Sequence, residues 1–253
     1  MRSLDFLKHV LPDTGFYCIV GKDTQNIVQP KFISSLDEVK EVINKFIRDQ
    51  QDVYFTMSTW LTDENRQGTN AKEQKCLWLD IDCGFDEKKR KWKDYKNKDD
   101  ALKALRVFTD ETKLPEPTIV DSGNGIHCYW AFTEAVHRDV WKPIADGFKF
   151  LCLKHKLHAD HGCTADVSRI LRVPGTKNFK DIKNPKKVVI LNEVLQTPFD
   201  TLVDLIPIEV VSKKKLSRDL DPATKAILGN HSSKFRKIID RIKNLDSFNA
   251  SNS

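Results

Sequence analysis

The chain has 253 residues, of which 40% are hydrophobic and 31% are charged, and its formal net charge is +6. This composition excludes an intrinsically disordered chain and leaves room for one large domain, alone or with a small appendage. No apolar run approaches the ~20 residues of a transmembrane helix, and acids and a proline interrupt the start of the chain where a secretory signal needs an apolar core. We therefore expect a cytoplasmic protein with no membrane partner, whose six scattered cysteines are reduced thiols.

The first third of the chain contains patterns of both strands and helices. Residues 34–51 predict a helix, because Ser35 and Glu38 match a capping box and the apolar residues that follow fall on one face. The other elements expected here are a strand pair at 15–22 and 26–32, a strand at 52–59, a polar loop at 60–74 and a buried strand at 75–82.

The rest of the chain continues this mixture. Asp99 or Asp100 is the expected N-cap of a helix that runs to about Thr112 and stops at the prolines of 114–117. Further expected elements are strands at 118–122, 126–132 and 186–193, a glycine turn at 123–125, helices at 138–155 and 198–206, and an irregular stretch from 167. Because strands and helices do not alternate strictly, the pattern predicts an α+β fold.

Composition also predicts the domain organisation. We expect a core over residues 1–207, a linker over 208–221 and a helical C-terminal segment over 222–253. The last of these ends abruptly in a polar run, which is consistent with a piece of a longer protein.

Two carboxylates lie on one apolar strand. Residues 76–84 read CLWLDIDCG, and the alternation of a strand places Asp80 and Asp82 on the same face. Two like charges this close repel, and a hard divalent cation such as Mg²⁺ or Mn²⁺ would keep both ionised. The alternative is a strand end with two solvated acids.

A glycine turn joins the two strands expected at 118–122 and 126–132. Ser122, Gly123, Gly125 and His127 lie in the stretch DSGNGIHCYW over 121–130. Backbone N–H groups freed by a glycine turn can approach a phosphate, and the serine and histidine side chains add polar contacts. An ordinary hairpin turn with an incidental histidine is the alternative.

The third stretch, ADVSRILRVPGTKNFK over 165–180, combines one acid with four cations. Asp166 is a candidate metal ligand, and Arg169, Arg172, Lys177 and Lys180 suit a triphosphate. By itself this is an unremarkable basic loop. In this order, however, the three stretches supply the groups needed for metal-dependent phosphoryl or nucleotidyl transfer.

These stretches resemble the three motifs of the archaeo-eukaryotic primase superfamily. The DxD motif matches 80–82, the sGxGxH motif matches 122–127, and an acid followed by R-x-x-R-x-P-G-T-x-N-x-K matches 166–180. The third is most similar to the primase–polymerases of phages and plasmids. The resemblance implies an RRM-like antiparallel sheet packed against a second α/β unit, with the active site in the cleft between them.

The resemblance further implies a DNA primase–polymerase that joins dNTPs or NTPs on a single-stranded DNA template. Two divalent metal ions, Mg²⁺ or Mn²⁺, would be held by Asp80, Asp82 and Asp166. The implied catalytic residues are these three acids and His127. The implied nucleotide-binding residues are Ser122, Gly123, Gly125, His127, Arg169, Arg172, Lys177 and Lys180. A helicase domain or partner, and the cytoplasm of a bacterial host, are the expected context.

A basic segment follows the acidic pair directly. We expect it to hold the template strand by charge and stacking, an assignment that comes from its residues and not from the resemblance. A solvated loop is the alternative. The residues concerned are Lys88, Lys89, Arg90, Lys91 and Trp92, with Tyr95 close behind.

The stretch 152–163 carries side chains that suit zinc. The residues are Cys152, His155, His158, His161 and Cys163. Their spacing matches no familiar zinc module, so we do not expect zinc here. Asp160 is expected to cap a helix end, with a further acid near the site as the alternative.

Two other functions use the same residues. A metal-dependent nuclease would need the acids, although it has no triphosphate for the third stretch to hold. A non-catalytic DNA-binding replication module would keep the fold without the reaction.

Overall fold

The structure is a computed structural model that describes residues 3–23, 25, 27–87 and 89–207. Its helices are α1 (Ser3–Val10), α2 (Val39–Arg48), α3 (Lys98–Thr112), α4 (Arg138–Lys154) and α5 (Phe199–Leu205). Its strands are β1 (Tyr17–Lys22), β2 (Val28–Ile33), β3 (Asp52–Thr56), β4 (Ser58–Trp60), β5 (Ala71–Asp82), β6 (Phe85–Asp86), β7 (Lys91–Trp92), β8 (Thr118–Asp121), β9 (Gly125–His137), β10 (Ile170–Arg172), β11 (Lys177–Asn178), β12 (Lys186–Lys187) and β13 (Val189–Asn192).

Two antiparallel sheets form the framework. One has the strand order β10-β3-β1-β2, and the other has the order β13-β8-β9-β5-β4. Two short ribbons, β6-β7 and β11-β12, accompany them. The predicted α+β class is therefore confirmed.

Aromatic side chains join the two sheets into one core. Phe6 of α1 meets Phe55 of β3 edge-on at 5.9 Å and Tyr129 of β9 at 5.1 Å between ring centroids. Phe55 and Tyr129 stack on each other at 6.5 Å. Because these rings are buried, they fix the first sheet against the second.

Helix α4 packs against the central strand β5. Trp141 of α4 stacks on Trp78 of β5 with centroids 4.8 Å apart, and its indole N–H donates to the Cys76 carbonyl at 2.9 Å. This contact fixes the helix to the strand that carries the acidic pair.

Pairing of the strands in the fold gives several of them boundaries that differ from those the sequence predicts. The single strand expected at 52–59 is two strands in different sheets, because the chain crosses between them at Met57, whose N–H donates to the Arg169 carbonyl at 3.1 Å. The loop expected at 60–74 ends early, since β5 already begins at Ala71 and pairs there with Trp60. Likewise, 186–193 divides into β12 and β13, and the irregular stretch contains β10.

Caps are confirmed in one case and corrected in another. Ser35 and Glu38 form the expected capping box, although its first turn is a 3₁₀ helix. Helix α3 begins two or three residues earlier than expected, because Asn97 rather than Asp99 or Asp100 is the N-cap and accepts from the Asp100 N–H at 2.8 Å.

Three further expectations concern the cysteines, membrane-spanning helices and the C-terminal segments. All six cysteines are buried free thiols. Among the described residues, no helix combines the length and apolarity that crossing a bilayer requires. The expected linker over 208–221 and the helical segment over 222–253 lie outside the described residues.

Candidate active site

Asp80 and His127 face each other across neighbouring strands. They are register partners on β5 and β9, with His127 Nε2 3.6 Å from Asp80 Oδ1. Leu79 and Ile81 are fully buried, whereas Asp80 is partly exposed and Asp82 is exposed. The two acids therefore share the face that the strand alternation predicted, at the mouth of the cleft.

A loop after α4 brings a third carboxylate to Asp80. The Trp78 indole N–H donates to the Cys163 carbonyl, and the Asp160 N–H donates to the Asp80 carbonyl at 2.8 Å. One ligand atom each from Asp80, Asp160 and Cys163 lie within 4.8 Å of one another. Asp160, expected as a helix cap, thus belongs to the acidic group.

This group suits a hard cation. The Cys163 thiol donates to the Asp160 carbonyl, and burial raises its pKa, so the thiol stays protonated. The two carboxylates remain as oxygen donors, which Mg²⁺ and Mn²⁺ prefer to sulfur.

The Asp166 carboxylate forms its hydrogen bonds within its own turn. Its Oδ1 accepts from the Ser168 N–H at 2.9 Å and from the Ser168 hydroxyl at 2.7 Å. It is not part of the group of ligand atoms around Asp80 found among the described residues. Its expected role as a metal ligand remains a prediction.

Arg169 lies between the acids. Its Nη2 donates to Asp80 Oδ2 at 2.7 Å and lies 3.3 Å from Asp160 Oδ2. Its Nε is buried and has no hydrogen-bond partner in the described part of the chain. A buried N–H donor without a partner is costly, and an anionic ligand in the cleft would satisfy it.

Arg172 reaches the same cleft from β10, and its buried Nε likewise has no hydrogen-bond partner in the described part of the chain. Its Nη2 donates to Asp52 Oδ2 at 2.8 Å, and its guanidinium lies 4.7 Å from the centre of the Tyr54 ring. Asp52 also accepts from the Phe179 N–H at 2.7 Å. The sequence analysis missed Asp52, because nothing around the start of β3 marks it before the sheet pairing is known.

His127 is neutral near pH 7. Burial lowers its pKa to about 4, against the attraction of Asp80, and Arg172 and Arg169 lower it further. Its Nδ1 lies 3.1 Å from the Tyr129 hydroxyl, whose own pKa is raised by burial. When Tyr129 donates to Nδ1, Nε2 carries the proton toward the cleft.

The glycine turn is fixed by packing as well as by its own conformation. Gly123 has φ +95°, and its N–H donates to Asp121 Oδ1 at 2.7 Å. A Cβ at Gly125 would lie 2.2 Å from the Ile81 carbonyl oxygen, so close strand contact requires glycine there. Asn178 donates to the Ser122 carbonyl at 2.8 Å, which ties the third stretch to the turn.

A cavity of about 600 Å³ gathers most of the expected side chains. Those that line it are Asp80, Asp82, Ser122, His127, Arg169, Arg172 and Lys180. Lys177 and Asp166 are not among its lining residues, and Lys177 lies on β11 opposite Lys187. The expected DNA-contact residues Lys89, Arg90, Lys91 and Trp92 lie in the neighbouring ribbon, and Lys88 is outside the described residues.

The side chains of 152–163 go to different places. Cys152 is fully buried, His155 pairs with Glu111 at 2.7 Å, and the His158 backbone N–H donates to the Tyr95 hydroxyl. Cys163 joins Asp80 and Asp160 instead.

Comparisons with known proteins identify the fold. No protein-family model and no curated protein matches the chain. The AEP domain of the cyanophage S-2L primase–polymerase is similar, with a TM-score of 0.57 and 14% identity over 81% of this chain and 97% of that one. Primase RepB′ is similar with a TM-score of 0.50 and 14% identity, over 98% of this chain and 69% of that one.

A third similar structure is the catalytic domain of primase RepB′ in complex with initiator DNA. Its TM-score is 0.51 and its identity 15%, over 81% of this chain and 93% of that one. At such identities the likeness establishes the fold alone. The chain has the fold of the archaeo-eukaryotic primases, as the sequence motifs predicted.

Proposed function

We propose that this chain is a DNA primase–polymerase, a divalent-metal-dependent nucleotidyltransferase that joins nucleotides on a single-stranded DNA template. The observation that carries the proposal is the convergence on Asp80, where His127, Arg169 and Asp160 meet at the cleft between two sheets. Carboxylates for a metal beside cations for a triphosphate are what this reaction needs. The named activities of the similar structures add support.

In this proposal the acids bind the divalent cations. Asp80, Asp82 and Asp160 hold Mg²⁺ or Mn²⁺, and Asp166 is the alternative third ligand. Two bound ions would favour ionisation of the attacking 3′-hydroxyl and neutralise the departing pyrophosphate. A bound cation would compete with Arg169 for Asp80 Oδ2, and the Arg169 guanidinium would then be available to the phosphates.

The remaining residues hold the incoming dNTP or NTP. Arg172 and Lys180 meet the triphosphate from one side of the cleft, and Ser122 with the turn at 123–125 meets it from the other. Neutral His127 donates a hydrogen bond from Nε2 to a phosphate oxygen. Lys177, which does not line the cavity, ranks behind these residues as a phosphate contact. The new bond joins the 3′-oxygen to the α-phosphorus as pyrophosphate leaves.

A primer-synthesis assay tests the proposal. Single-stranded DNA, labelled nucleotides and Mg²⁺ or Mn²⁺ are incubated with the protein, with and without a primer. We expect template-dependent products that Asp80→Asn lowers by at least about a thousandfold. Asp110→Asn, at an exposed site on α3, is the matched control and should change nothing.

The same assay separates the other functions. Cleavage of the DNA without triphosphates, lost in Asp80→Asn, would identify a nuclease instead. DNA binding with no product under any metal would identify a non-catalytic replication module.

We also propose a biological context for the reaction. That context is phage or plasmid replication in the cytoplasm of a bacterial host, with a helicase domain or partner; the cyanophage source of one similar structure supports the phage part of it. A parent reading frame that carries a GxxxxGK[ST] sequence downstream would support this context, and a frame without one would count against a fused helicase.

A further inference from the structure

A small hairpin leaves β5 directly after the acidic pair. Strands β6 and β7 place Phe85 opposite Trp92, and the two rings meet edge-on with centroids 5.2 Å apart. Phe85 is 42% exposed and Trp92 is 52% exposed. We call the described residues 85–87 and 89–92 the aromatic hairpin.

The exposure of Trp92 sets it apart from the other tryptophans. The chain has five, and the other four are at most 2% exposed; they are Trp60, Trp78, Trp130 and Trp141. Large aromatic groups left paired at a surface commonly mark a binding site. An aromatic pair flanked by cations is the arrangement on which unpaired bases stack.

Positive charge concentrates around the same hairpin. Residues 85–98 contain seven lysines and arginines against three acids, a net +4 in a chain whose total is +6. Lys96 Nζ lies 5.9 Å from the centre of the Trp92 ring. This charge favours a polyanion over an apolar protein partner.

The base of the hairpin is fixed to the candidate active site. The Asp82 N–H donates to Asp94 Oδ2 at 2.9 Å, and the Tyr95 N–H donates to the Asp82 carbonyl at 3.2 Å. The Cys83 N–H donates to the Asn124 carbonyl in the glycine turn. The exposed rings therefore keep a set position relative to Asp82.

A groove runs from the hairpin to the cleft. It is a cavity of about 1030 Å³ whose lining includes Phe85, Lys93 and Lys96. It shares Asn124, Asn178 and Lys180 with the cavity that contains the acidic group. The two cavities therefore adjoin each other at these three residues.

We propose that the aromatic hairpin is a stacking platform for an unpaired base of single-stranded DNA, with the adjoining groove leading that strand to the acidic group. The inference rests on the proposed function, since it assigns the template strand its surface. Phe85 and Trp92 contact the base and Lys96 contacts its phosphates, whereas Lys93 is paired with Asp82 at 3.1 Å. The contacts are to ring faces and phosphates, so binding does not depend on sequence.

Tryptophan fluorescence tests the platform on the full chain. Stacking of a base on an indole quenches its emission, and Trp92 is the exposed indole. Titration with oligodeoxythymidine should quench the emission, whereas an abasic strand with the same number of phosphates should not. Equal quenching by both strands, or none by either, would overturn the proposal.

Variants separate stacking from folding. Trp92→Ala should weaken binding of oligodeoxythymidine by about tenfold to a hundredfold and leave binding of the abasic strand unchanged. Trp92→Phe should retain most of the affinity and lose the quenching, which provides a reading even if Trp92→Ala folds poorly. Phe150→Ala, at an exposed aromatic on α4, is the matched control and should bind as the parent does.

The other possible results distinguish failure of the stacking platform from failure of the primase–polymerase proposal. If Trp92→Ala binds the strand normally, or changes only self-association in sedimentation, the platform is disproved. Asp80→Asn should keep the quenching. If no variant or parent makes product while base-dependent quenching persists, the primase–polymerase proposal fails and the platform stands.

Discussion

Two arginines reach the cleft, and they are held in different ways. Arg169 pairs with Asp80 and Asp160, the carboxylates that we propose as metal ligands. Arg172 pairs with Asp52, which lies outside that group, and packs against Tyr54. A cation bound at the acids would compete with Arg169 and not with Arg172. We therefore propose Arg172 as the preorganised phosphate contact.

Replacing Arg172 by lysine tests this difference. Lysine keeps the charge, but it loses the planar fork that contacts Asp52 and a phosphate together. We expect the nucleotide Kd to rise about tenfold and Mn²⁺ affinity to stay unchanged. Titration with a fluorescent nucleotide and with Mn²⁺ measures both. An unchanged nucleotide Kd would show that Arg172 only supports β3.

The sequence identifies some site residues and misses others for a physical reason. Asp80, Asp82 and His127 follow from strand alternation and local spacing. Asp160 and Asp52 depend on contacts between distant segments, the Trp78 hydrogen bond to the Cys163 carbonyl and the β3–β10 pairing. No local pattern encodes such contacts.

At the level of elements, the β5–β9 pair positions the site. Asp80 opposes His127 and Asp82 opposes Gly125, so the two motifs share one ladder. The ladder is tight at its end, where a Cβ at Gly125 would meet the Ile81 carbonyl oxygen. Strand alternation alone predicted the shared face, but not which strand would supply the histidine.

Alanine at Gly125 should separate these strands. We expect Gly125→Ala to lower the free energy of unfolding by about 1–3 kcal/mol, as overpacking does. Gly84→Ala is the comparison, because Gly84 has φ +93° but open space around it, so only backbone strain of about 1 kcal/mol applies. Urea unfolding measures both. A larger loss for Gly84→Ala would contradict the tight ladder.

Across the whole molecule, two sheets share one core through Phe6, Phe55 and Tyr129. The mixed class was predictable from the pattern of elements. The crossing at Met57 was not, because one apolar run serves two sheets and only their packing divides it. Buried side chains that titrate also make the free energy of unfolding of this fold depend on pH.

His9 provides a pH prediction. Burial lowers its pKa below the ordinary 6.5, with Glu193 opposing and Lys75 adding to the effect. The unfolded chain then binds more protons than the folded one, so stability falls as the pH drops through about 6.5. His9→Gln should show a smaller loss of urea midpoint between about pH 7 and about pH 5. An equal loss would place the effect elsewhere.

The most direct measurement compares Asp160→Asn with Asp166→Asn in nucleotide incorporation on a primed single-stranded template. Asp160 lies in the group with Asp80, whereas Asp166 accepts from Ser168, a bond that asparagine can keep. We predict that Asp160→Asn lowers the rate by at least about a thousandfold, as loss of a metal ligand would, and Asp166→Asn tests the alternative third ligand in the same assay. Full activity of Asp160→Asn, with loss in Asp166→Asn, would contradict the acidic group described for this cleft.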